Sequence, residues 1–431
     1  MTAENSTAAT MTASVRHVLT RFDEWLAGFG EVSRDHQTFF AGGYGRAAKR
    51  LYYERPMLGL VAVAPLITCE ALLPSARRLF HRNTRFPIAD AHYAMGYAFL
   101  HQALGDAAYL ERAVHFLREL EQSRCPAFEE SCWGYPFDWV TRNGTIPAQT
   151  PLITSTPYAY EAFLHVQRLA PRDEWLARMQ SIARHASTDI KDFRVSEAAS
   201  SCSYTPFDGG GVINAAAYRA FLLTSASIEF GSDEYRRLAD RNLQFVLDAQ
   251  NADGSWYYAT DGVRDFVDHF HTCFVMKALA KIHGLTGDTA TFDALSRGLD
   301  YYFAHLFDVD GLPRPFAKAP RLTVYKRELY DCAECINLCI LLQDRFPACG
   351  ARLDTVISGV LRDWLKPDGS FRSRKLFLGW DDVPMHRWAQ SQMFRSLASW
   401  LASQAIARPD RALHATTGPD GRGTQLAEVH R

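Results

Sequence analysis

Residues 250–274, QNADGSWYYATDGVRDFVDHFHTCF, contain the order of events that decides the fold. A helix with one polar face ends here, an Asn-Ala-Asp-Gly-Ser turn reverses the chain, and three aromatic residues follow. A new helix then opens with acids and histidines and becomes wholly apolar. Helices that are apolar on all sides are buried, whereas helices with an apolar stripe lie at a surface. The stretch therefore predicts an outer helix, a rim loop and an inner helix.

The same alternation recurs along the chain. Six segments are apolar on nearly all sides: 89–104, 155–169, 212–230, 265–283, 329–345 and 385–401. Five segments with a polar face follow them: 107–122, 172–187, 232–250, 289–307 and 350–365. The turns from inner to outer helix are short, and the connections back are long: 123–154, 188–211, 251–264, 308–328 and 366–384. All the long loops fall where inner helices begin, and long loops in compact domains are usually functional.

A spacing of about 50 to 65 residues per pair predicts an all-α fold, an (α/α)6 toroid with its long loops on one rim. Segment 57–79 leaves a seventh hairpin open as an alternative. Helix 14–28 is expected to be the outer partner of the last inner helix. The expected organisation is a disordered tail at 1–12, one toroid domain at 13–405 and a disordered tail at 406–431.

Composition excludes several classes of protein. The net charge of −1 over 431 residues argues against a nucleic-acid binder, and 47% apolar residues suffice for a large core. Nine cysteines without framework spacing indicate reduced thiols. No signal peptide and no uninterrupted apolar run of membrane-spanning length is evident. We therefore expect a cytoplasmic protein without a membrane span, and the sequence leaves the oligomeric state open.

The central stretch holds two candidate pairs of acid and histidine. If the helix opens near Asp265, that residue and His269 are four apart, and Asp268 and His271 are three apart. A carboxylate that orients an imidazole is the arrangement expected of a general base. His269 and His271 project to opposite sides of a helix, so they do not ligate one metal together. The alternative is a core histidine with satisfied hydrogen bonds.

Loop 123–154 contains CWGYPFDW, in which aromatic residues surround an acid. Trp133, Tyr135 and Trp139 are candidates for stacking on a sugar, and Asp138 is a candidate for proton transfer. An aromatic plug that packs the loop, with Asp138 bonded to backbone amides, is equally compatible with this pattern.

Two further loops supply candidate binding residues. Loop 188–211 ends in CSYTPFDGGG, which offers Tyr204 and Asp208. Asp208 is favoured as a helix N-cap over a binding residue. Trp256 and Tyr257 of the central stretch are further candidates for sugar stacking.

Loop 308–328 is basic, with Arg314, Lys318, Arg321, Lys326 and Arg327 and no acid between Asp310 and Glu328. Arg321 and Lys326 on this rim suit an anionic ligand, and a solvated basic loop is the alternative. The next helix opens with Asp331, a further acid-base candidate. Its cysteines resemble a metal set, but buried thiols are commoner, and we expect neither metal nor cofactor.

The segment FLGWDDVPMHRW completes the candidate set with Trp380 and Asp382, which we expect to contact substrate. Before it, PDGSF at 367–371 repeats ADGSW at 252–256, the best internal repeat in the chain.

The turn QNADGSW resembles the Q…DGSW turn of terpenoid cyclase and prenyltransferase toroids, where this turn joins the ends of helices. The Asp-x-Asp-Asp acid and the Asp-Asp-x-x-Asp metal motif of those enzymes are absent from the sequence. A wider resemblance covers about residues 86–401. RFPIADAHYAMG, CWGYPFDW, SCSYTPFD, VINAA, DGSWYY and VDHFHT, in that order, are similar to a bacterial toroid family linked to exopolysaccharide biosynthesis.

That resemblance implies the toroid fold and a polysaccharide context. At its last motif, YDCAECIN stands where the family pattern has Gln or His after the Ala. More distantly, six-hairpin glycosidase-like toroids, such as uronyl hydrolases and sugar 2-epimerases, carry acids and histidines on the same rim.

Three functions are carried forward. The first is an enzyme that acts on an acidic sugar or oligosaccharide by hydrolysis, epimerisation or elimination, with Asp138, Asp268 and His271 in acid-base roles. The second is a glycan-binding or assembly component without catalysis. The third is a terpenoid cyclase-like enzyme for an apolar substrate.

Overall fold

The computed structural model describes residues 3–406, and helices dominate it. The helices are α1 (Ala3–Phe29), α2 (Thr38–Ala41), α3 (Gly43–Glu54), α4 (Pro56–Leu72), α5 (Pro87–Leu104), α6 (Ala107–Gln122), α7 (Thr156–Leu169), α8 (Asp173–Arg184), α9 (Ile213–Phe230), α10 (Asp233–Asp248), α11 (His269–Thr286), α12 (Thr289–His305), α13 (Leu329–Leu342), α14 (Pro347–Asp363) and α15 (Ser391–Ile406). A 3-10 helix spans Pro74–Leu79, and π-helical turns span His185–Asp189 and His386–Gln390.

Six inner helices form a closed ring. Helices α5, α7, α9, α11, α13 and α15 each contact the next in this order, and α15 contacts α5. The inner helices are buried nearly all round; α9, for example, is buried from Ile213 to Ser227. The outer helices α6, α8, α10, α12 and α14 each pack on an inner partner. The structure is the predicted (α/α)6 toroid.

Helix α1 fills the sixth outer position, as predicted. Its Phe22 ring stacks on Phe394 of α15 with centroids 5.0 Å apart, and Val15, Leu19 and Phe22 belong to the main core. The helix begins at Ala3, within the segment 1–12 that the sequence predicts as a disordered tail. The predicted tail after residue 405 lies almost wholly outside the described residues, and the domain division stays a prediction.

The turns from inner to outer helices are tight because glycine ends the inner helix in the left-handed conformation. Gly105, Gly231 and Gly287 have φ of 73°, 63° and 70°. Asp106 or Asp288 then caps the next outer helix by accepting a backbone N–H. The short linkers fix each pair as an antiparallel hairpin, and all inner helices start at the same face.

The rim at that face carries small antiparallel strands, which the sequence did not predict. They are β1 (Trp139–Thr141), β2 (Gly144–Ile146), β3 (Asp192–Arg194), β4 (Ser200–Cys202), β5 (Val267–Asp268), β6 (Phe316–Lys318), β7 (Tyr325–Glu328), β8 (Arg374–Leu376) and β9 (Trp380–Asp381). They pair as β1-β2, β3-β4, β5-β6 and β7-β8-β9. Strands this short contain too few residues to show an alternating pattern.

The two DGS repeats are equivalent turns. Asp253 accepts hydrogen bonds from the N–H and Oγ of Ser255 at 3.0 and 2.7 Å, and Asp368 bonds Ser370 at the same distances. Gly254 packs against the backbone of Arg297 in α12. Each turn thus joins the end of one outer helix to the next outer helix.

Helices α3 and α4 form a hairpin outside the ring, which we call the rim hairpin (residues 43–72). The segment proposed for a seventh ring hairpin therefore lies on the rim instead. Gly59 of α4 lies so close to Tyr52 that a Cβ there would be 2.0 Å from the Tyr52 Cα. Ion pairs join Glu70 to Arg374 of β8 and Arg77 to Asp381 of β9, and α3 contacts β1.

Candidate functional site

The amino end of α11 is held by strand pairing and by its own cap. Strand β5 pairs with β6, and Asp268 at the end of β5 is the N-cap of α11, accepting the His271 N–H at 3.0 Å. The helix therefore starts at His269, four residues later than predicted. Asp265 lies in the preceding loop, paired with Lys318 at 2.6 Å, so the predicted Asp265–His269 pair is wrong.

The second predicted pair is present. The Nδ1 of His271 lies 2.6 Å from the second carboxylate oxygen of Asp268, which is only 3% exposed. An ionised Asp268 places the imidazole proton on Nδ1 and leaves Nε2 with its lone pair. The Nε2 atom makes no hydrogen bond to any residue in 3–406, and the side chain is 21% exposed. This atom is therefore available to accept a proton from a ligand.

A small cavity opens beside this pair. It is lined by Asn214, Trp256, Tyr257, Tyr258, Phe266, Asp268, His271, Thr272 and Val275. Its enclosed space is only about that of one water molecule. A sugar ring therefore enters it only when the side chains around the opening move apart.

Asn214 in the first turn of α9 gives the cavity an unsatisfied polar group. Its side chain is 2% exposed, and neither its amide nitrogen nor its oxygen has a hydrogen-bond partner within residues 3–406. Buried polar groups are nearly always paired, so an unpaired amide at a cavity wall is a candidate ligand contact. The amide offers both donors and an acceptor.

Aromatic rings form the rest of the wall. The Tyr258 ring meets the His271 ring edge to face with centroids 4.7 Å apart, and Phe266 stacks on Tyr258 at 4.8 Å. Burial raises the pKa of the Tyr258 hydroxyl. Trp256 is 3% exposed and donates its indole N–H to the Val246 carbonyl at 2.9 Å. Both rings are fixed in place.

Asp331 lies next to this pair in the ring, in the first turn of α13. It is 1% exposed, and both its carboxylate oxygens lack a hydrogen-bond partner among the described residues. Burial raises its pKa well above the ordinary value, and the nearby charges of Glu328 and Asp268 raise it further. Burial therefore favours the neutral carboxylic acid over the carboxylate at this position.

A chain of buried polar groups runs along the ring axis below the cavity. Lys277 of α11 forms an ion pair with Glu334 of α13 and donates to the Tyr158 hydroxyl at 3.2 Å. Tyr158 in turn lies 2.5 Å from the Tyr218 hydroxyl. Burial lowers the pKa of Lys277, but Glu334 outweighs it and the pKa is raised. The centre of the ring here therefore contains charged and hydroxyl side chains in place of apolar ones.

His269 is a core residue. Its side chain is fully buried, its Nδ1 lies 3.2 Å from the Leu306 carbonyl, and its Nε2 lies 2.8 Å from the Tyr302 hydroxyl. Both nitrogens are occupied within the protein, so the catalytic assignment of His269 is wrong.

The residues of CWGYPFDW pack the loop. Trp133 is 1% exposed and donates its indole N–H to the Leu120 carbonyl at 2.7 Å, so it offers no face to a ligand. Asp138 is surface-exposed; it accepts the Ala148 N–H at 3.0 Å and lies 3.7 Å from Arg46. These contacts match the aromatic-plug alternative, and nothing places Asp138 at the cavity.

Tyr135 and Trp139 lie nearer the rim opening. The two rings meet at 5.5 Å, and Trp139 lies 6.2 Å from Tyr204. Tyr135 is also covered by the guanidinium of Arg387 at 4.6 Å. Tyr135, Trp139 and Tyr204 thus form a row of half-buried rings.

Asp208 shapes its own loop. Its carboxylate accepts the backbone N–H groups of Tyr204, Thr205 and Gly210 at 2.9, 2.5 and 3.0 Å. Helix α9 has Val212 at its N-cap position and no side-chain cap, so the predicted N-cap role of Asp208 is wrong. Its oxygens are saturated, which also argues against the binding role.

The basic loop is partly neutralised. Asp308 pairs with Arg314 and Arg327, and Asp265 pairs with Lys318. Exposed Arg321 has no ion pair among residues 3–406, nor does Lys326, whose Nζ lies over Phe377. Tyr257 turns outward beneath Lys318, at 5.0 Å.

A group of cations therefore remains at the rim. Burial and the nearby charge of Arg321 lower the pKa of Lys49 on the rim hairpin to about 8. Arg321 and Arg142 both act on the neighbouring Tyr53. No ion pair within residues 3–406 neutralises Lys49, Arg142 or Arg321.

Trp380 and Asp382 lie apart from the cavity. The Trp380 ring packs on Trp364 at 5.1 Å and lies under Arg372 at 4.8 Å. Asp382 is exposed and 3.9 Å from Arg372. These contacts place both residues at the end of the α14 hairpin, and their predicted role in substrate binding is not supported there.

The structure thus brings together Asp268, His271, Trp256 and Tyr257 at one cavity. Asp331 does not line that cavity, but its charge interacts with that of Asp268. Sequence reasoning missed Tyr258. Tyr258 directly follows the two predicted aromatic residues, and all three line the cavity. It also missed Lys277, for which a lysine in the middle of an otherwise apolar inner helix was the available signal.

Among residues 3–406, no group of three histidine, cysteine or acidic residues is arranged to hold a metal ion. The same residues contain no helix long and apolar enough to cross a membrane. The nine thiols are unpaired; those at 332, 335 and 339 are buried in α13.

No protein-family model matches the chain, and no curated protein does. Solved toroid structures are similar to it in fold. A cellobiose 2-epimerase from Bacillus thermoamylovorans has a TM-score of 0.58 at 10% identity, over 74% of this chain and 87% of that chain. A sugar epimerase from a ruminal bacterium gives 0.56 at 13%, over 74% and 88%. An unsaturated glucuronyl hydrolase specific for heparin gives 0.56 at 12%, over 77% and 88%.

Proposed function

We propose that the chain is a carbohydrate-processing enzyme in which Asp268 and His271 form the general base and Asp331 is the acid. The observation that carries the proposal is the imidazole of His271, fixed by Asp268 on one nitrogen and free on the other at the cavity. Such a pair is what proton abstraction needs, because the carboxylate fixes the tautomer and stabilises the imidazolium that forms.

Asp331 has the properties of a proton donor. Burial favours the protonated form of this carboxyl, which is able to donate its proton when negative charge develops on a substrate oxygen. The nearby charge of Asp268 favours the protonated form of Asp331 as well.

The cavity wall suits a sugar. The unpaired amide of Asn214 matches hydroxyl groups, which both donate and accept hydrogen bonds. The half-buried ring of Tyr258 matches the apolar face of a pyranose, whereas Trp256 is buried behind it. Sugar epimerases and a glucuronyl hydrolase also share the fold, which agrees with this substrate class but does not by itself assign it.

The dyad favours epimerisation or elimination over hydrolysis. In both reactions the Nε2 of His271 takes a proton from a carbon beside a carbonyl or carboxylate. In elimination the neighbouring C–O bond then breaks and Asp331 protonates the leaving oxygen. In epimerisation Asp331 protonates the enolate oxygen, and the carbon then regains a proton from solvent on its opposite face as that oxygen returns its own. Hydrolysis uses two carboxyl groups that flank the bond. Here one of the two nearby carboxyls, Asp268, is already committed to the imidazole.

We also propose that the sugar is acidic and belongs to polysaccharide biosynthesis or processing. The support is the group of Lys49, Arg142 and Arg321, three cations without an ion pair among the described residues at the rim. Cations in that arrangement attract carboxylate or sulfate groups.

The test is turnover of a panel of neutral and uronate-containing disaccharides in D2O, followed by NMR. Epimerisation shows as solvent deuterium on the carbon, elimination as a new double bond, and hydrolysis as new reducing ends. We expect Asp268→Asn and Asp331→Asn to lower turnover by about 100- to 10,000-fold. Substrate binding, measured by calorimetry, should change little.

Asp138→Asn is the matched control, because it removes one carboxylate charge from a loop outside the cavity. If no panel member is turned over but one binds equally well to wild type and to both site variants, the protein is a glycan-binding component and the enzymatic proposal is wrong. Binding of isoprenoid diphosphates in place of sugars would favour the cyclase-like function instead.

A further inference from the structure

The exposed face of α4 on the rim hairpin is unusually apolar. Met57, Val61 and Leu58 are 80%, 75% and 56% exposed, and no charged residue lies on that face. The opposite face holds the buried residues Gly59, Val63, Leu66 and Glu70. Helices at the surface of a soluble monomer normally turn polar residues outward. The apolar face of α4 is therefore a surface that another body covers.

The apolar surface continues beyond α4. Leu72, Leu73 and Leu79 follow it and are 54%, 60% and 78% exposed. The hairpin tip at Phe377 and Leu378 is also exposed, and β8 below it is tied to α4 through the Arg374–Glu70 ion pair. Leu322 is 98% exposed on the loop whose Val324 carbonyl accepts the Phe377 N–H.

Basic residues surround this face. Between residues 43 and 85 the sequence has eight Lys or Arg and two acids, a local charge of 8 − 2 = +6 in a chain of net charge −1. Arg50, Arg55, Arg78 and Arg82 are exposed. The sole acid on α4, Glu70, is consumed by Arg374. The near-neutral composition of the whole chain conceals this local excess.

We propose that the rim hairpin docks on the surface of an anionic lipid bilayer. An exposed apolar helix face bordered by arginines is the arrangement of an interfacial helix, which inserts apolar side chains between headgroups while the cations meet lipid phosphates. A helix of 17 residues lies in that interface rather than crossing it.

Other occupants fit less well. Two copies of the chain that packed through this face would bring the exposed arginines at 50, 55, 78 and 82 of both copies together. The chain after Ile406 is polar and starts at the end of α15 away from the rim, because the inner helices begin at the rim. An anionic bilayer satisfies both the apolar and the basic character at once.

The test is flotation of the full-length protein with two kinds of vesicle. One is phosphatidylcholine alone, and the other contains roughly 30% phosphatidylglycerol, which makes its surface anionic. We expect binding only to the anionic vesicles, and weaker binding at high salt. Val61→Glu should reduce binding more than about tenfold, because it places a charge where an apolar side chain inserts. Arg50→Gln and Arg78→Gln should each reduce it about fivefold.

The matched control is Ile228→Glu, at an apolar position that is 56% exposed near the end of α9, and this variant should bind as wild type does. Circular dichroism confirms that each variant is folded. Failure of the folded wild type to bind anionic vesicles, or equal loss with Ile228→Glu, overturns the proposal. So does concentration-dependent self-association that Val61→Glu abolishes, which would assign the face to a second copy.

Discussion

At the residue scale, the pairing of Asp268 with His271 depends on where one helix starts. Both residues and their spacing of three are visible in the sequence. Asp265 and Asp268 are equally good candidates to start the helix, and only the pairing of β5 with β6 selects Asp268 as the cap. The sequence therefore predicts this pair and also the wrong one.

The first residue-scale prediction separates chemistry from stability at Asp268. Asn caps helices about as well as Asp, so Asp268→Asn should change the free energy of unfolding by less than about 1 kcal/mol. The same change removes the negative charge that stabilises an imidazolium at His271, so turnover should fall by about 100-fold or more. Thermal unfolding and kcat measure the two effects. If Asp268→Asn turns substrate over as fast as wild type does, the Asp268–His271 pair is not the base.

The second prediction concerns Asp331 and pH. Its pKa is raised in the folded protein, so the folded state binds more protons than the unfolded state above about pH 4, and stability falls as pH rises. Glu328, Asp268, Glu334 and Arg374 are the charged groups around it. Urea unfolding between pH 4 and 8 should show wild type losing stability relative to Asp331→Asn as pH rises. Parallel curves for the two proteins would mean that Asp331 is not a neutral acid in the folded state.

At the element scale, the apolar character of the inner helices predicts the ring. The position of the rim hairpin outside the ring is not predictable from its sequence. The segment 57–79 has the same helical periodicity as a ring member. What places it outside the ring is its ion pairs to the rim strands, Glu70 to Arg374 and Arg77 to Asp381. Pairs between residues about 300 positions apart leave no local pattern in the sequence.

A prediction at this scale tests the DGS turn. Gly254 has φ of 90°, and a Cβ there would be 2.3 Å from the Arg297 carbonyl oxygen in α12. Gly262 has φ of 70° with open space around it, so it isolates the backbone strain. Both substitutions should lower the free energy of unfolding by the backbone strain of about 1–2 kcal/mol. Gly254→Ala should lower it by about 1 kcal/mol or more beyond that, because only its Cβ meets Arg297. Denaturant unfolding measures the difference, and equal losses would show that the turn does not brace the outer helices.

Another element-scale prediction concerns the rim hairpin. Gly59→Val places side-chain atoms where α4 crosses the Tyr52 backbone, so α3 and α4 should separate. Limited proteolysis should then cut within residues 43–72 while the ring stays protected. Gly43→Val, at a position with open space, is the control. If Gly59→Val leaves the hairpin as resistant as wild type does, the hairpin is held by its ion pairs alone.

At the scale of the whole molecule, the toroid was predictable and its interior was not. One-sided long loops and alternating burial specify a ring of hairpins before any side chain is placed. Which side chains reach the cavity depends on how each rim loop folds back. Trp133 and Trp380 turn into packing contacts, whereas Asn214 and Tyr258 turn to the cavity.

The buried chain from Lys277 to Tyr218 is a second whole-molecule property. It joins α7, α9, α11 and α13 through Tyr158, Tyr218, Lys277 and Glu334. Each residue alone is an isolated polar position in an apolar helix, and only closure of the ring makes them partners. These contacts tie four of the six inner helices to one another.

The central claim is that the amino ends of the inner helices assemble one site around His271. It is tested most directly by a crystal structure of Asp268→Asn with the disaccharide that the panel identifies. We predict one sugar ring in the cavity, with a carbon-bound hydrogen facing the Nε2 of His271 and a hydroxyl bonded to the amide of Asn214. A sugar bound elsewhere on the ordered protein, with that cavity empty, would contradict the account.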